Sequence, residues 1–107
     1  MKNEKKILAL LGIAKKAGKT VSGTDMAVES VRSGKKSAVK LFVTAENASQ
    51  NTVKRITNTS AYYGIPIVTV SDKATLGHTV GSTSEISTVG VTDQGLAEAM
   101  IKATQSD

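Results

Sequence analysis

Cysteine is absent from the chain, which removes a disulfide framework, a thiolate nucleophile and any cysteine-ligated zinc site. Tryptophan is absent as well. Phe42, Tyr62 and Tyr63 are the only aromatic residues, so no aromatic-rich RNP-type strand offers bases a stacking platform. His78 is the single histidine, and its nearest acids in sequence, Asp72 and Glu85, lack ligand spacing, so no metal centre is expected. One histidine, with no Gly-x-Ser-x-Gly elbow, also gives a Ser-His-Asp triad no support. Asp25 and Glu29 are one helical turn apart, yet at a helix start two acids are more simply a cap and a complement to the dipole. No catalytic residue and no cofactor are assigned.

Long apolar runs are missing too. Residues 1–6 are basic and residues 7–14 mostly apolar, which imitates a signal peptide, but the apolar run is short, Lys15 and Lys16 end it, and no small-residue cleavage site follows. A bilayer span needs about 20 such residues. The expectation is a soluble cytoplasmic protein with no membrane partner, in which the Asn47 and Asn58 sequons carry no sugar.

What is present fits one domain over residues 1–107: 39% hydrophobic residues are enough for a core without staples. The formal charge of +5 is unevenly spread. Residues 1–55 hold twelve Lys or Arg against four acids, and residues 56–107 hold two against five. Such a field favours a polyanionic partner, because neutralised phosphates release counterions.

Periodicity predicts helices over residues 4–17, 24–33, 50–63, 73–80 and 94–104, with strands over 19–21, 38–44, 67–70 and 86–92. Met26, Ala27, Val28 and Val31 form the apolar stripe assigned to the second helix, and Phe42 is assigned to the core. Strict alternation of helix and strand implies a central sheet with helices on both faces, an α/β three-layer sandwich.

The run from Gly12 to Thr20 ends in Gly-Lys-Thr but encloses five residues between its glycines and closes a helix, so it is not a P-loop. Ser22, Gly23, Thr24 and Asp25 supply turn and cap chemistry before the second helix, whose free N-terminal amides suit phosphate. Lys19 stands beside that turn in sequence, with Lys15 and Lys16 before it and Lys35 and Lys36 beyond the helix's far end. An ordinary capped helix start is the other reading of the same residues.

The ordered segments LLGIAKKAGK, SGTDMAVESVRSGK, VKLFVTAENAS, NTVKRI, YYGIPI, LGHTVG and VTDQGLA resemble the kink-turn RNA-binding superfamily of ribosomal proteins, the L-seven-Ae and L-thirty-e group, and within it the bacterial YlxQ-type members. The resemblance covers nearly the whole chain. It implies an α-β-α sandwich with a four-stranded mixed sheet, no catalysis, and RNA held by the start of the second helix and by the loop before the last strand. In the family's Gly-x-Asn-Glu-x-x-Lys pattern, Gly23 and Thr24 match the start, Asp25 replaces Asn, Met26 replaces Glu and Glu29 replaces Lys. The second loop falls on Gly81, Ser82, Thr83, Ser84, Glu85 and Ile86. Met26 cannot accept a hydrogen bond from a guanine edge and Glu29 repels phosphate, which predicts weaker or altered kink-turn selectivity.

The combined expectation is a monomeric, ribosome-associated protein that binds structured RNA through this turn, this loop and Lys19, Lys35 and Lys36. The alternative is a protein-interaction module of the translation machinery that has lost RNA readout.

Overall fold

The computed structural model describes residues 3–105; Met1 and Lys2 of the leader-like run lie outside them. The elements follow in the expected order: α1 (Glu4–Lys16), β1 (Thr20–Ser22), α2 (Thr24–Arg32), β2 (Leu41–Ala45), α3 (Gln50–Tyr63), β3 (Ile67–Val70), α4 (Lys73–Thr79), β4 (Thr88–Val91) and α5 (Gln94–Gln105).

Local chemistry sets the ends of these elements. The Ser49 side chain accepts from the Thr52 amide at the start of α3, and Asp72 accepts from the Thr75 amide at the start of α4. An Asp93 carboxylate oxygen accepts from the Leu96 amide at 2.8 Å, opening α5 as its cap. Ile7, Leu11 and Ala14 recur at helical spacing and are the buried stripe of α1.

The sheet order is β1-β4-β2-β3, with β4 antiparallel to both neighbours and β2 parallel to β3. The sheet is therefore mixed, as the resemblance implies. Strand β2 is buried along its whole length. Leu41, Val43 and Ala45 point into a cluster with Ile7, Leu11, Leu76 and Met100 from α1, α4 and α5. Phe42 points the other way, into Ala27, Val28, Val31 and Ile56 from α2 and α3. Period-two alternation thus builds two cores, one on each face of the sheet, and completes the three-layer sandwich. Burying a ring such as that of Phe42, which is 0% exposed, stabilises by about 1.5 to 3 kcal/mol.

One core assignment fails. Met26 is 63% exposed. At 100° per residue it falls about 150° from the centre of the stripe made by Ala27, Val28 and Val31, so it stands on the outer face of α2. The strand expected over 38–44 begins only at Leu41, although Ala38 and Val39 are already buried.

Candidate nucleic-acid interface

Strand β1 ends at Ser22, and Gly23 reverses the chain into α2 with φ 101° and ψ 143°, a conformation in which any other residue is strained. No side chain caps α2 at this glycine, so the amides of its first turn are left to an outside acceptor. The turn is tied to the sheet: the Gly23 amide donates to the Thr88 carbonyl at 2.8 Å, and the Thr24 hydroxyl donates to the Thr88 hydroxyl at 3.0 Å.

Thr88 opens β4, and the loop predicted as the second contact leads directly into it. That loop is itself shaped by α4. The Ser82 amide donates to the Gly77 carbonyl at 2.9 Å, the Ile86 amide donates to the Lys73 carbonyl at 3.2 Å, and the Ser84 amide donates to the Ser82 hydroxyl at 3.0 Å. A Cβ on Gly77 would collide with the Ser84 carbonyl, so only glycine lets loop and helix approach this closely. Two segments some sixty residues apart in sequence are thereby joined at one end of the sheet through Thr88.

On this end, Ser22, Asp25, Met26, Glu29, Gly81, Thr83, Ser84 and Glu85 are exposed, while Gly23, Thr24 and Ser82 are half-buried. Ile86 is only partly at the surface: its side chain packs against the core under α1, α4 and α5. An apolar side chain next to the start of a buried strand gains more from the core than from water.

The lysines depart further. Lys19 lies at the opposite end of β1 from Gly23, where the Thr92 amide donates to its carbonyl, and the three residues of β1 separate the two by four steps of extended chain, about 13 Å. Lys35 and Lys36 follow the far end of α2, at that same opposite end. The reason is the reversal at Gly23: strand and helix run back to back, so residues before the strand and after the helix meet at the pole away from the turn. Lys15 and Lys16 end α1 there, and Lys40 donates to the Lys36 carbonyl at 3.0 Å. The expected basic surface is therefore a separate lysine pole, whereas the turn's own end is of mixed sign, with Asp25, Glu46, Asp72 and Glu85 beside Arg55 and Lys73.

Arg55 of α3 was not assigned from sequence. It is paired with Asp25, the one ion pair among the described residues. The two lie in a depression of about 320 Å³ between α2 and α3, lined also by Thr24, Asn51 and Thr52. A second depression of about 490 Å³ continues from Arg55 along the same two helices past Arg32 and Asn58 to Tyr62 and Tyr63. Asn51, Arg55, Asn58, Thr59 and Tyr62 recur at helical spacing, a polar face of α3 that was legible as a stripe. Among the described residues no group of three or more His, Asp and Glu is placed to hold a metal, and no helix is long and apolar enough to cross a membrane.

The family model described as the Ribosomal protein L7Ae/L30e/S12e/Gadd45 family matches residues 5–101. This chain belongs to that family. A Bacillus subtilis (strain 168) member named RNA-binding protein YlxQ is 39% identical over 92 residues, covering 86% of this chain and 88% of its own length. Its namesake from Enterococcus faecium is 29% identical over 96 residues, covering 90% and 88%. The solved structure of a protein of unknown function from Bacillus halodurans C matches with a TM-score of 0.85 at 28% identity, over 94% of this chain and 98% of that one. The Giardia lamblia 15.5kD RNA binding protein matches with a TM-score of 0.80 over 96% of this chain and 85% of its own; at 17% identity it shows the shared fold alone. The YlxQ-type resemblance read from the sequence is thus borne out.

Set on this member of the L7Ae family, the Gly-x-Asn-Glu-x-x-Lys pattern occupies the outer side of α2. Met26 and Glu29, the two strongest departures from it, both face solvent. Asp25 keeps the length of the family's Asn but is an acceptor only, and Arg55 occupies it.

Proposed function

We propose that this chain is a single-domain, non-catalytic RNA-binding protein of the cytoplasm, monomeric and ribosome-associated. It meets bent or bulged RNA at the end of the sheet formed by Ser22, Gly23, Thr24 and Asp25 together with Gly81, Ser82, Thr83, Ser84 and Glu85. The observation that carries this reading is the clamp through Thr88, which holds two exposed, polar, glycine-containing segments as one surface. No atom lies within 4 Å of where a Cβ would stand on Gly23 or Gly81, so a sugar-phosphate backbone has room to approach both. The uncapped amides of α2 give a phosphate its donors. The two relatives named as RNA-binding proteins support the same reading.

Recognition here is by shape and backbone. Met26 and Glu29 remove an acceptor and a cation from the family pattern, and each mismatched contact of this kind costs about 1 to 3 kcal/mol, so a standard kink-turn RNA is expected to bind more weakly than nanomolar at physiological salt. The test is a titration of that RNA, and of the same RNA with its bulge closed by pairing, at several salt concentrations. Ser22→Glu and Ser84→Glu, on the two separate segments, should each weaken binding of the bulged RNA about ten-fold by placing a carboxylate against phosphate. RNA binding that ignores both substitutions overturns the site. No salt-sensitive RNA binding at all favours the protein-interaction module instead.

A further inference from the structure

The two depressions between α2 and α3 share Arg55, so a single groove leaves the turn at Thr24 and runs the length of α2. Arg55 stands at its middle and Arg32 at its lower end, and beyond Arg32 the chain passes directly to Lys35 and Lys36. Tyr62 is 82% exposed at the same lower end, and its ring and that of Tyr63 form a T-shaped pair with centroids 4.8 Å apart and planes at 73°.

We propose that this groove is a track for single-stranded RNA, which continues from RNA seated at the turn and ends on Lys35 and Lys36. The proposal rests on the RNA-binding reading above for its starting point. Arg55 and Arg32 along the groove, with Lys35 and Lys36 just beyond it in the chain, match a run of phosphates, and a guanidinium donates to two phosphate oxygens through its paired N–H groups. Arg55 is not lost to this role by its pairing with Asp25, because an exposed ion pair is weak enough for phosphate to displace. Most of the Tyr62 ring is exposed beside Tyr63, and every base has a face to stack on such a ring.

Charge and chemistry exclude the commoner occupants. Val28 is the only aliphatic residue of the lower depression and is 4% exposed, so a partner that anchors on aliphatic side chains finds no pocket there. The remaining lining is Arg, Asn, Thr and Tyr, the donors and rings of a single-strand groove.

The experiment compares bulged RNA without a tail to the same RNA carrying about six uridines at its 5′ or its 3′ end, a length within the site sizes of single-strand grooves. One of the two tails should raise affinity about ten-fold, and Tyr62→Ala, Arg32→Gln, or Lys35→Gln with Lys36→Gln should each remove most of that gain. At a few tenths molar salt, where the long-range field is screened, the same variants should leave affinity for the tail-less RNA unchanged, and Tyr62→Phe should keep the gain, because stacking needs the ring and not the hydroxyl. The salt slope of the tailed RNA should flatten by about 0.7 for each cation removed.

Tails at neither end improving affinity, or a gain that survives Tyr62→Ala and Arg32→Gln, overturns the track while leaving the turn as a binding site. Failure of the tail-less RNA to bind, with a uridine homopolymer still bound through Tyr62 and Arg32, overturns the turn reading and upholds the track. Competition by polyglutamate as strong as by polyuridine assigns the groove to acidic proteins and overturns RNA as its occupant.

Discussion

Thr44 lies in β2 at 5% exposure, and its hydroxyl has no hydrogen-bond partner. Its register position faces the α2–α3 layer with Phe42, where a methyl group would meet the same neighbours without a buried, unmet polar atom. Thr44→Val is therefore expected to stabilise the fold by about 1 kcal/mol, read as a higher denaturant midpoint at constant slope. A lower midpoint would show that the hydroxyl is satisfied. Met26 and Glu29 pose the opposite problem, since both are exposed and their cost is in binding. Met26→Glu with Glu29→Lys restores the family's acceptor and cation on a helix face that packs against nothing. The pair should raise affinity for a kink-turn RNA about ten-fold or more with little change in stability, as measured by parallel RNA titration and thermal melts.

Helix α4 matters through the loop it carries. Because the backbone of Ser84 lies against Gly77, Gly77→Ala must push residues 82–85 off the helix. The expected result is a loss of RNA affinity larger than the loss of stability, with the β4 amides remaining protected in hydrogen exchange. The start of the same helix carries a pH dependence. The Thr75 amide, then the Thr75 hydroxyl, hold the Asp72 carboxyl below its ordinary value of 3.8. A group whose pKa is depressed by folding contributes fully above the unfolded value and loses that contribution as the pH falls through the folded one. The melting temperatures of the wild type and Asp72→Ala should differ most above pH 3.8 and converge below it. Elements of this kind were legible in the sequence because caps and periodicity are local: Ser49, Asp72 and Asp93 each sit where the helix was expected to start. What a short helix buries was less legible. Met26 lies one residue before Ala27, and only the position of the sheet decides which side of a nine-residue helix is inward. Arg55 was not assigned and Tyr62 was given no role, because the meaning of both depends on α2 lying beside them.

At the scale of the molecule, the cluster of Lys15, Lys16, Lys19, Lys35, Lys36 and Lys40 lies on a different end from the turn. Sequence proximity put Lys19 next to Gly23, but a strand is a rod, and three residues of β1 are enough to carry the two to opposite poles. Lys15, Lys16, Lys19 and Lys40 therefore cannot touch RNA seated on the turn unless the RNA is long enough to pass round a body of 30 × 28 × 26 Å. Their effect on a short RNA must then be through the field, which extends about 10 Å at 0.1 M salt and about 30 Å at 0.01 M. Replacing Lys15, Lys16 and Lys19 by Gln should slow association of a short bulged RNA several-fold at low salt, leave its dissociation rate unchanged, and have no effect once salt reaches a few tenths molar. Stopped-flow measurement of both rates over a salt series separates the cases. A faster dissociation rate in the variant would mean direct contact, and the lysine pole would then belong to the bound surface.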